Sequence, residues 1–291
     1  MIAWWRAFLL VIIVNYNVHV FACDVVDETG NHVRIEKRAM RIISLAPDIT
    51  EILFAIGAGQ AIVGVVSGSD YPEKARDLPV VGSYQGLDLE RILALKPDLI
   101  ITWNQNFLRQ LAVLAQQGVP VYRTNPRRLE DIPRTMQKLG CLTGHRFEAE
   151  RRARQFSRDL SKLAGEYRKA APVKVFFQLG DRRLMTINRE SWINQVITLC
   201  GGRNVFAEAA FSAPEVSIES VLAANPVVIL NGATDDRWKA SWRHWRELAA
   251  VDRGNLFTIE PDWIDRAGPR LILGAKQVCA ALFAARPSHI N

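Results

Sequence analysis

Cysteine is scarce: the 291 residues hold four, Cys23, Cys141, Cys200 and Cys279, and no CxxC pair. His19 and His145 each lie four residues from a cysteine, but the Cys and His residues do not recur in the spacing pattern of a zinc site. The five histidines (His19, His32, His145, His244, His289) are scattered along the chain. HExxH, the phosphate-binding P-loop, a GxGxxG after a strand and the nucleophile elbow are all missing, so no catalytic or metal constellation is visible. Apolar runs stay well short of the roughly 20 residues that cross a bilayer. Long Lys/Arg blocks are lacking too, with only pairs such as Arg127-Arg128 and Arg151-Arg152, so the net charge of +7 reads as an ordinary basic surface, with no nucleic-acid partner. What is present is 49% hydrophobic and 23% charged residues, which excludes disordered, collagen-like and coiled-coil chains. The length suggests about two domains, each large enough to bury its own core.

Residues 1–22 read as a removable leader. Arg6 supplies the positive start, Ala7–Val14 an eight-residue apolar run, and Val20-Phe21-Ala22 a small-residue cleavage site. The same stretch with Cys23 also resembles a lipoprotein box, in which Cys23 would be acylated and anchor the protein to a membrane. Either way the mature chain is expected outside the cytoplasm, in the periplasm. In that oxidising setting the cysteines are either disulfide-bonded or buried free thiols.

Past a short polar start, apolar β-branched runs alternate with helical stretches. Strands are predicted at Arg41–Leu45, Ile62–Val65, Leu99–Trp103 and Val121–Tyr122, with helices at Ile49–Ile56, Leu89–Leu95, Phe107–Gln117 and Leu129–Leu139, the last closed by Gly140. Short strands without a period-two pattern, separated by helices, point to a buried parallel sheet. From Phe147 to Tyr167, apolar Ala149, Ala153, Phe156, Leu160, Leu163 and Tyr167 are spaced 4, 3, 4, 3 and 4, the stripe of one long helix, with Glu148/Arg152 and Glu150/Arg154 pairs on its exposed side. A second α/β region follows: strands Val173–Leu179, Val227–Leu230 and Leu256–Ile259, and helices Trp192–Cys200 and Leu271–Ala284. The expected architecture is therefore α/β with two lobes, residues 23–145 and 172–291. Each has a central parallel sheet flanked by helices, and one linker helix within 146–171 joins them.

The lobes share an echo. Glu90 precedes Pro97 by seven residues, Glu219 precedes Pro226 by seven, and both pairs are offset by 129. Each glutamate opens a short helix, where a carboxylate suits the helix dipole, and each proline turns the chain into a strand. Aromatic and polar residues gather where open α/β sheets bind ligands, at strand ends and loops: Tyr71, Tyr84, Trp103, Asp262, Trp263 and Arg266. Large rings between lobes suit a flat or bulky apolar ligand oriented by a few polar groups. Trp238, Trp242 and Trp245, spaced 4 and 3, read instead as a core-facing stripe.

Several segments carry a family resemblance. Arg41-Ile-Ile-Ser-Leu-Ala-Pro47-Asp-Ile-Thr50-Glu51, Ser69-Asp70-Tyr71-Pro72, Gln85-Gly-Leu-Asp-Leu-Glu90-Arg-Ile and Leu95-Lys-Pro97-Asp98-Leu resemble class III substrate-binding proteins of ABC importers. Asn194-Gln195-Val, Cys200-Gly-Gly, Pro214-Glu-Val-Ser-Ile-Glu219 and Asp262-Trp263-Ile-Asp-Arg266-Ala-Gly-Pro269-Arg270 are similar to the cobalamin-binding branch of that family. The resemblance runs from about residue 40 to 285. It implies a ligand held in the cleft, with Tyr71, Tyr84, Trp103, Asp262 and Arg266 at corrinoid-contact positions. There are departures: Tyr84 replaces a tryptophan, Met185 stands where a phenylalanine is usual, and Ala213 where a tryptophan is usual, so the second lobe's wall is less aromatic.

The resemblance further implies a Cys200–Cys279 disulfide, leaving Cys141 as a buried free thiol. It implies that Glu90 and Glu219 dock onto arginine pockets of a permease dimer, whose cytoplasmic ATPase subunits hydrolyse ATP. The expected protein is a non-catalytic monomer without a cofactor or metal of its own, carrying cobalamin or a related corrinoid as cargo. The alternative cargo is haem or an iron siderophore, with Tyr71 or Tyr84 able to ligate iron.

Overall fold

Two four-stranded parallel sheets, one per lobe, form the frame. In the computed structural model, which describes residues 22–103, 106–180 and 183–286, the leader lies outside the described residues except for Ala22. The chain enters through an antiparallel hairpin, β1 (Cys23–Val26) and β2 (His32–Ile35). The first lobe continues with β3 (Ile42–Ser44), α1 (Pro47–Ala55), β4 (Ile62–Val65), a small hairpin of β5 (Gly82–Ser83) and β6 (Gly86–Leu87), α2 (Leu89–Ala94), β7 (Leu99–Trp103), α3 (Leu108–Gln116), β8 (Val121–Thr124) and α4 (Asp131–Thr143). Then α5 (Arg146–Tyr167) leads to the second lobe: β9 (Val173–Gln178), α6 (Trp192–Leu199), β10 (Gly202–Asn204), α7 (Ile218–Ala224), β11 (Val228–Gly232), α8 (Ala249–Asp252), β12 (Leu256–Ile259), α9 (Pro261–Ile264) and α10 (Leu271–Ala284).

The sheet orders are β4-β3-β7-β8 and β10-β9-β11-β12, all parallel. Each lobe thus repeats one topology: the second strand lies outside the first, and the third and fourth follow on the other side. Helices cover both faces, so Leu99–Thr102 and Val228–Asn231 are buried throughout, which is why these strands read as unbroken apolar runs. The echo between the lobes extends to the backbone. Lys96 and Asn225, each directly before its proline, both adopt positive φ (47° and 43°).

At 22 residues, α5 is about 33 Å long. Its buried Ala149, Ala153, Phe156 and Leu163 pack against α4 on one lobe and against α6 and α10 on the other. The Glu148–Arg152 and Glu150–Arg154 pairs form at 2.9 and 3.1 Å, and Arg151 joins Glu148 at 2.6 Å. The hydrogen bond from Arg151 is the main reason that the Glu148 carboxyl is held down at about 2.

Two expectations need correction. Gly140 does not end α4, which runs on to Thr143 and is capped by Gly144 in the left-handed region. Gly140 serves a close approach instead, since a Cβ there would come 2.2 Å from the Cβ of Ala149 on α5. Nor is Cys141 a free thiol: it is bonded to Cys23, tying β1 to α4, and this bond leaves Cys23 no thiol to acylate. Cys200 and Cys279 are bonded as expected, joining the end of α6 to α10. The tryptophan stripe is core material, with Trp238 and Trp242 buried on a 3-10 turn, Arg237–Trp242.

Candidate ligand-binding cleft

In a sheet ordered 2-1-3-4, the crevice opens at the carboxyl ends of strands 1 and 3, where successive connections leave in opposite directions. Here those ends belong to β3 and β7 in one lobe and to β9 and β11 in the other. A cavity of about 570 Å³ lies there, lined from the first lobe by Trp103, Asn106 and Asn125–Arg127, and from the second by Leu179, Ile187, Glu190–Ile193, Ser212, Ala213 and Asp265. That volume is typical of small-molecule sites, which span about 300–1,000 Å³.

Two indoles from opposite lobes form its wall. Trp103, the last residue of β7, meets Trp192, the first of α6, edge to face with centroids 5.9 Å apart and planes at 79°. Each indole N–H is held from behind: Trp103 Nε1 donates to Asp48 Oδ2 at 3.1 Å, and Trp192 Nε1 to the Ile264 carbonyl at 3.0 Å. Both rings are therefore fixed in orientation while remaining partly exposed. Burial pushes the Asp48 carboxyl up to about 6 against the pull of the Trp103 N–H, and the nearby charge of Glu51 adds to the rise.

Asp265 sits against Gly232 at the end of β11, where a Cβ would come within 2.8 Å of its Oδ2. Its backbone N–H donates to the Pro261 carbonyl at 2.9 Å, but its carboxylate has no hydrogen bond or ion pair among the described residues. Solvent reaches the side chain, yet the surrounding cavity walls strip much of its hydration. That loss, with the charge of Asp262, pushes its carboxyl up to about 7 against the opposing pull of Arg266.

Beside the cavity the lobes are joined by ions. Arg266 Nη1 donates to Glu51 Oε1 and to Asp70 Oδ1, both at 2.9 Å, and its Nη2 lies 2.6 Å from Asp262. Arg270 grips Glu51 with two bonds, Nε to Oε2 at 2.9 Å and Nη2 to Oε1 at 2.6 Å, and its guanidinium lies 4.0 Å over the Tyr71 ring. Partial burial alone would raise the Asp70 carboxyl, but the hydrogen bond and charge of Arg266 outweigh it and hold Asp70 below the usual carboxylate range. A neutral link also joins the lobes: Gln195 Oε1 accepts from Leu129 N at 3.0 Å, and its Nε2 donates to the Arg127 carbonyl.

The residues singled out from sequence thus fall into groups. Trp103 lines the cavity, and Tyr71, Asp262 and Arg266 belong to the ion cluster at its side. Met185 is bridged to Leu179, which lines the cavity, and to Glu215, and is not itself among the lining residues. Tyr84 stands in solvent, 88% exposed, in the two-residue turn between β5 and β6. Glu90 and Glu219 are both the second residue of a short, exposed helix start, capped by Asp88 and by Ser217. At that start the Glu219 carboxyl is lowered by backbone N–H bonding and by the Ser217 side chain. Sequence reasoning assigned no role to Asp48, Glu51, Asp70, Trp192, Asp265 or Arg270. For Trp192 a signal existed, because it opens the helix after the second lobe's first strand, as Pro47 does in the first lobe.

Curated relatives and solved structures match this architecture. A "Vitamin B12-binding protein" of Pectobacterium carotovorum subsp. carotovorum (strain PC1) is 39% identical over 250 residues, covering 85% of this chain and 90% of the relative. The crystal structure of the periplasmic vitamin B12 binding protein BtuF of Vibrio cholerae superimposes with a TM-score of 0.78 at 37% identity, covering 85% of this chain and 98% of that one. The periplasmic heme-binding protein RhuT from Roseiflexus sp. RS-1, in apo form, gives 0.75 at 27% identity, with 85% and 99% covered. The periplasmic binding protein family matches residues 42–263, most of the chain, and the protein belongs to that family.

Proposed function

We propose that this protein is a periplasmic solute-binding protein that captures cobalamin or a related corrinoid between its lobes and delivers it to an ABC importer. The observation that carries this reading is the interlobe cavity walled by Trp103 and Trp192, in a chain alike over most of its length to vitamin B12-binding proteins. Two indoles with pinned N–H groups offer apolar faces to a macrocycle, and Asp262, Asp265 and Arg266 offer hydrogen bonds to the amides at its edge. Tyr84, exposed on its hairpin turn, and Tyr71 and Met185, outside the cavity lining, are assigned to contact parts of the ligand that project beyond the cavity. The protein does no chemistry on its cargo and needs no cofactor. ATP hydrolysis belongs to the cytoplasmic subunits of the importer.

Calorimetric titration with cyanocobalamin, cobinamide and haemin tests this. One-to-one binding of cyanocobalamin is expected, weakened at least about tenfold, or by 1.4 kcal/mol, in Trp103→Ala. No heat with cyanocobalamin overturns the reading, and selective binding of haemin favours the other cargo, for which the Tyr71 and Tyr84 phenols are available. Docking is assigned to Glu90 and Glu219, whose carboxylates match the fork of a permease arginine. The double alanine variant should bind cobalamin normally and fail in transport; unimpaired transport would reduce both glutamates to helix starters.

A further inference from the structure

Glu51 is an unusual residue for a helix interior. Its side chain is only 1% exposed, and its side-chain partners among the described residues, Arg266 and Arg270, both come from the other lobe, 215 and 219 residues on in sequence. An unpaired carboxylate at that depth would be heavily penalised, so its burial requires the arginines of the second lobe to be in place. The geometry is specific: one oxygen accepts from both guanidiniums, and the other completes a two-bond grip on Arg270. Gly268, between the two arginines, packs its backbone against the start of α1, where a Cβ would be 3.6 Å from the Asp48 carbonyl. The loop bearing both arginines is thus docked onto the helix bearing Glu51.

Without this contact the lobes would be held by α5, by the Trp103–Trp192 ring contact, and by the Gln195 link and an exposed Arg127–Glu190 ion pair at 3.6 Å, both of which lie toward the Arg127 side of the cavity. A tether at one side leaves a pivot, whereas tethers on two sides fix an aperture. We infer that Glu51 is a positioning residue of the cleft: by holding Arg266 and Arg270 it sets the separation of the lobes and keeps Arg266 and Asp262 at the edge of the cavity, ready for ligand. The inference rests on the solute-capture reading for its binding consequence, but not for its effect on shape.

Glu51→Gln keeps the size and removes the charge. Small-angle scattering of the ligand-free full chain is expected to show a larger radius of gyration than wild type, returning to the wild-type value when cyanocobalamin saturates the variant. If the substitution leaves only a tenth of the molecules in the competent arrangement, apparent affinity falls about tenfold. A role confined to stability would lower the melting temperature while leaving scattering and affinity at wild-type values well below it, and that result overturns the inference. Arg270→Gln removes the same two-bond grip from the other lobe and takes the place of Glu51→Gln should the latter fail to fold. If wild type binds no cyanocobalamin, the proposed cargo is wrong, and unchanged scattering of either variant still sinks the latch.

Discussion

The two lobes share a strand order, a helix–proline–strand echo and a disulfide each, yet they bring different charges to the ion cluster beside the cleft. The first contributes carboxylates at its helix start and strand loop, Asp48, Glu51 and Asp70. The second contributes the guanidiniums of Arg266 and Arg270, with the carboxylate of Asp262 alongside. Repeating a topology therefore repeats where a site can form, at the carboxyl ends of the strands, without repeating what the site contains. Buried strands are constrained by packing alone and can stay alike. The residues just beyond them are free to diverge and become complementary across the gap.

Removing each lobe's disulfide is the harshest way to break the comparison. The bonds close separations of 118 and 79 residues, and chain entropy favours the first-lobe bond by only about 0.4 kcal/mol. Packing favours the other, because Cys200 and Cys279 are both fully buried between α6 and α10, whereas Cys23 fastens a hairpin at the margin of its lobe. The Cys200→Ala/Cys279→Ala pair should cost about 2–5 kcal/mol and exceed the loss from the Cys23/Cys141 pair. Equal shifts in thermal unfolding would show that unfolded-chain entropy, not packing, sets the value. A milder break is Gly140→Val, which drives a side chain into Ala149 and should cost about 1–3 kcal/mol by prising α4 from α5. Retained stability would mean that this helix pair slides without penalty.

What the sequence revealed follows the same division. The bounds Ile62–Val65, Leu99–Trp103, Leu256–Ile259 and Leu271–Ala284 coincide with the observed elements, because apolar runs bounded by turn residues leave little choice. The β1–β2 hairpin escaped notice: its turn is held by polar bonds, Asp27 Oδ1 accepting from Thr29 N and Asn31 N, and Cys23 and Val33 are its buried side chains. Gly140 was misread because a glycine needed for close helix packing looks, in one dimension, like a helix stop. Trp103, Asp262 and Arg266 were legible as residues at strand ends. The ion cluster was not, since nothing local links Glu51 to partners more than 200 residues away. Trp192 read only as a helix start because its role depends on facing Trp103 across the cleft.

Titration sharpens the contrast between an unpaired carboxylate and the paired ones. Asp265 is raised to about 7, so between about pH 4 and pH 7 the folded protein holds a proton that the unfolded chain has released. The fold then binds more protons than the unfolded chain, and this group's contribution to stability is lost as pH rises through that window. Asp70, held low by Arg266, acts in the opposite sense, its stabilisation being lost as pH falls through the carboxylate range. Asp265→Asn cannot ionise and should melt above wild type at pH 8, with the two converging below about pH 4. Parallel melting curves across that range would show that Asp265 is fully hydrated in the cleft.

The smallest expected effect concerns the other glycine of a helix interior near the linker. Gly165 lies in the last turns of α5, exposed, with no atom within 4 Å of where a Cβ would stand. Nothing in the packing requires glycine there, unlike Gly140, so alanine should stabilise the helix by about 0.5–1 kcal/mol through the lower entropy of the unfolded chain. Because α5 reaches its second-lobe contacts on α6 and α10, the same substitution also asks whether the linker needs to flex. With α5 acting as a rigid strut between lobes already latched by Glu51, Gly165→Ala should raise the melting temperature and leave cyanocobalamin affinity and association rate at wild-type values. A slower association rate together with a higher melting temperature would place a functional bend in the last turns of α5, and the second lobe would then be the one that moves.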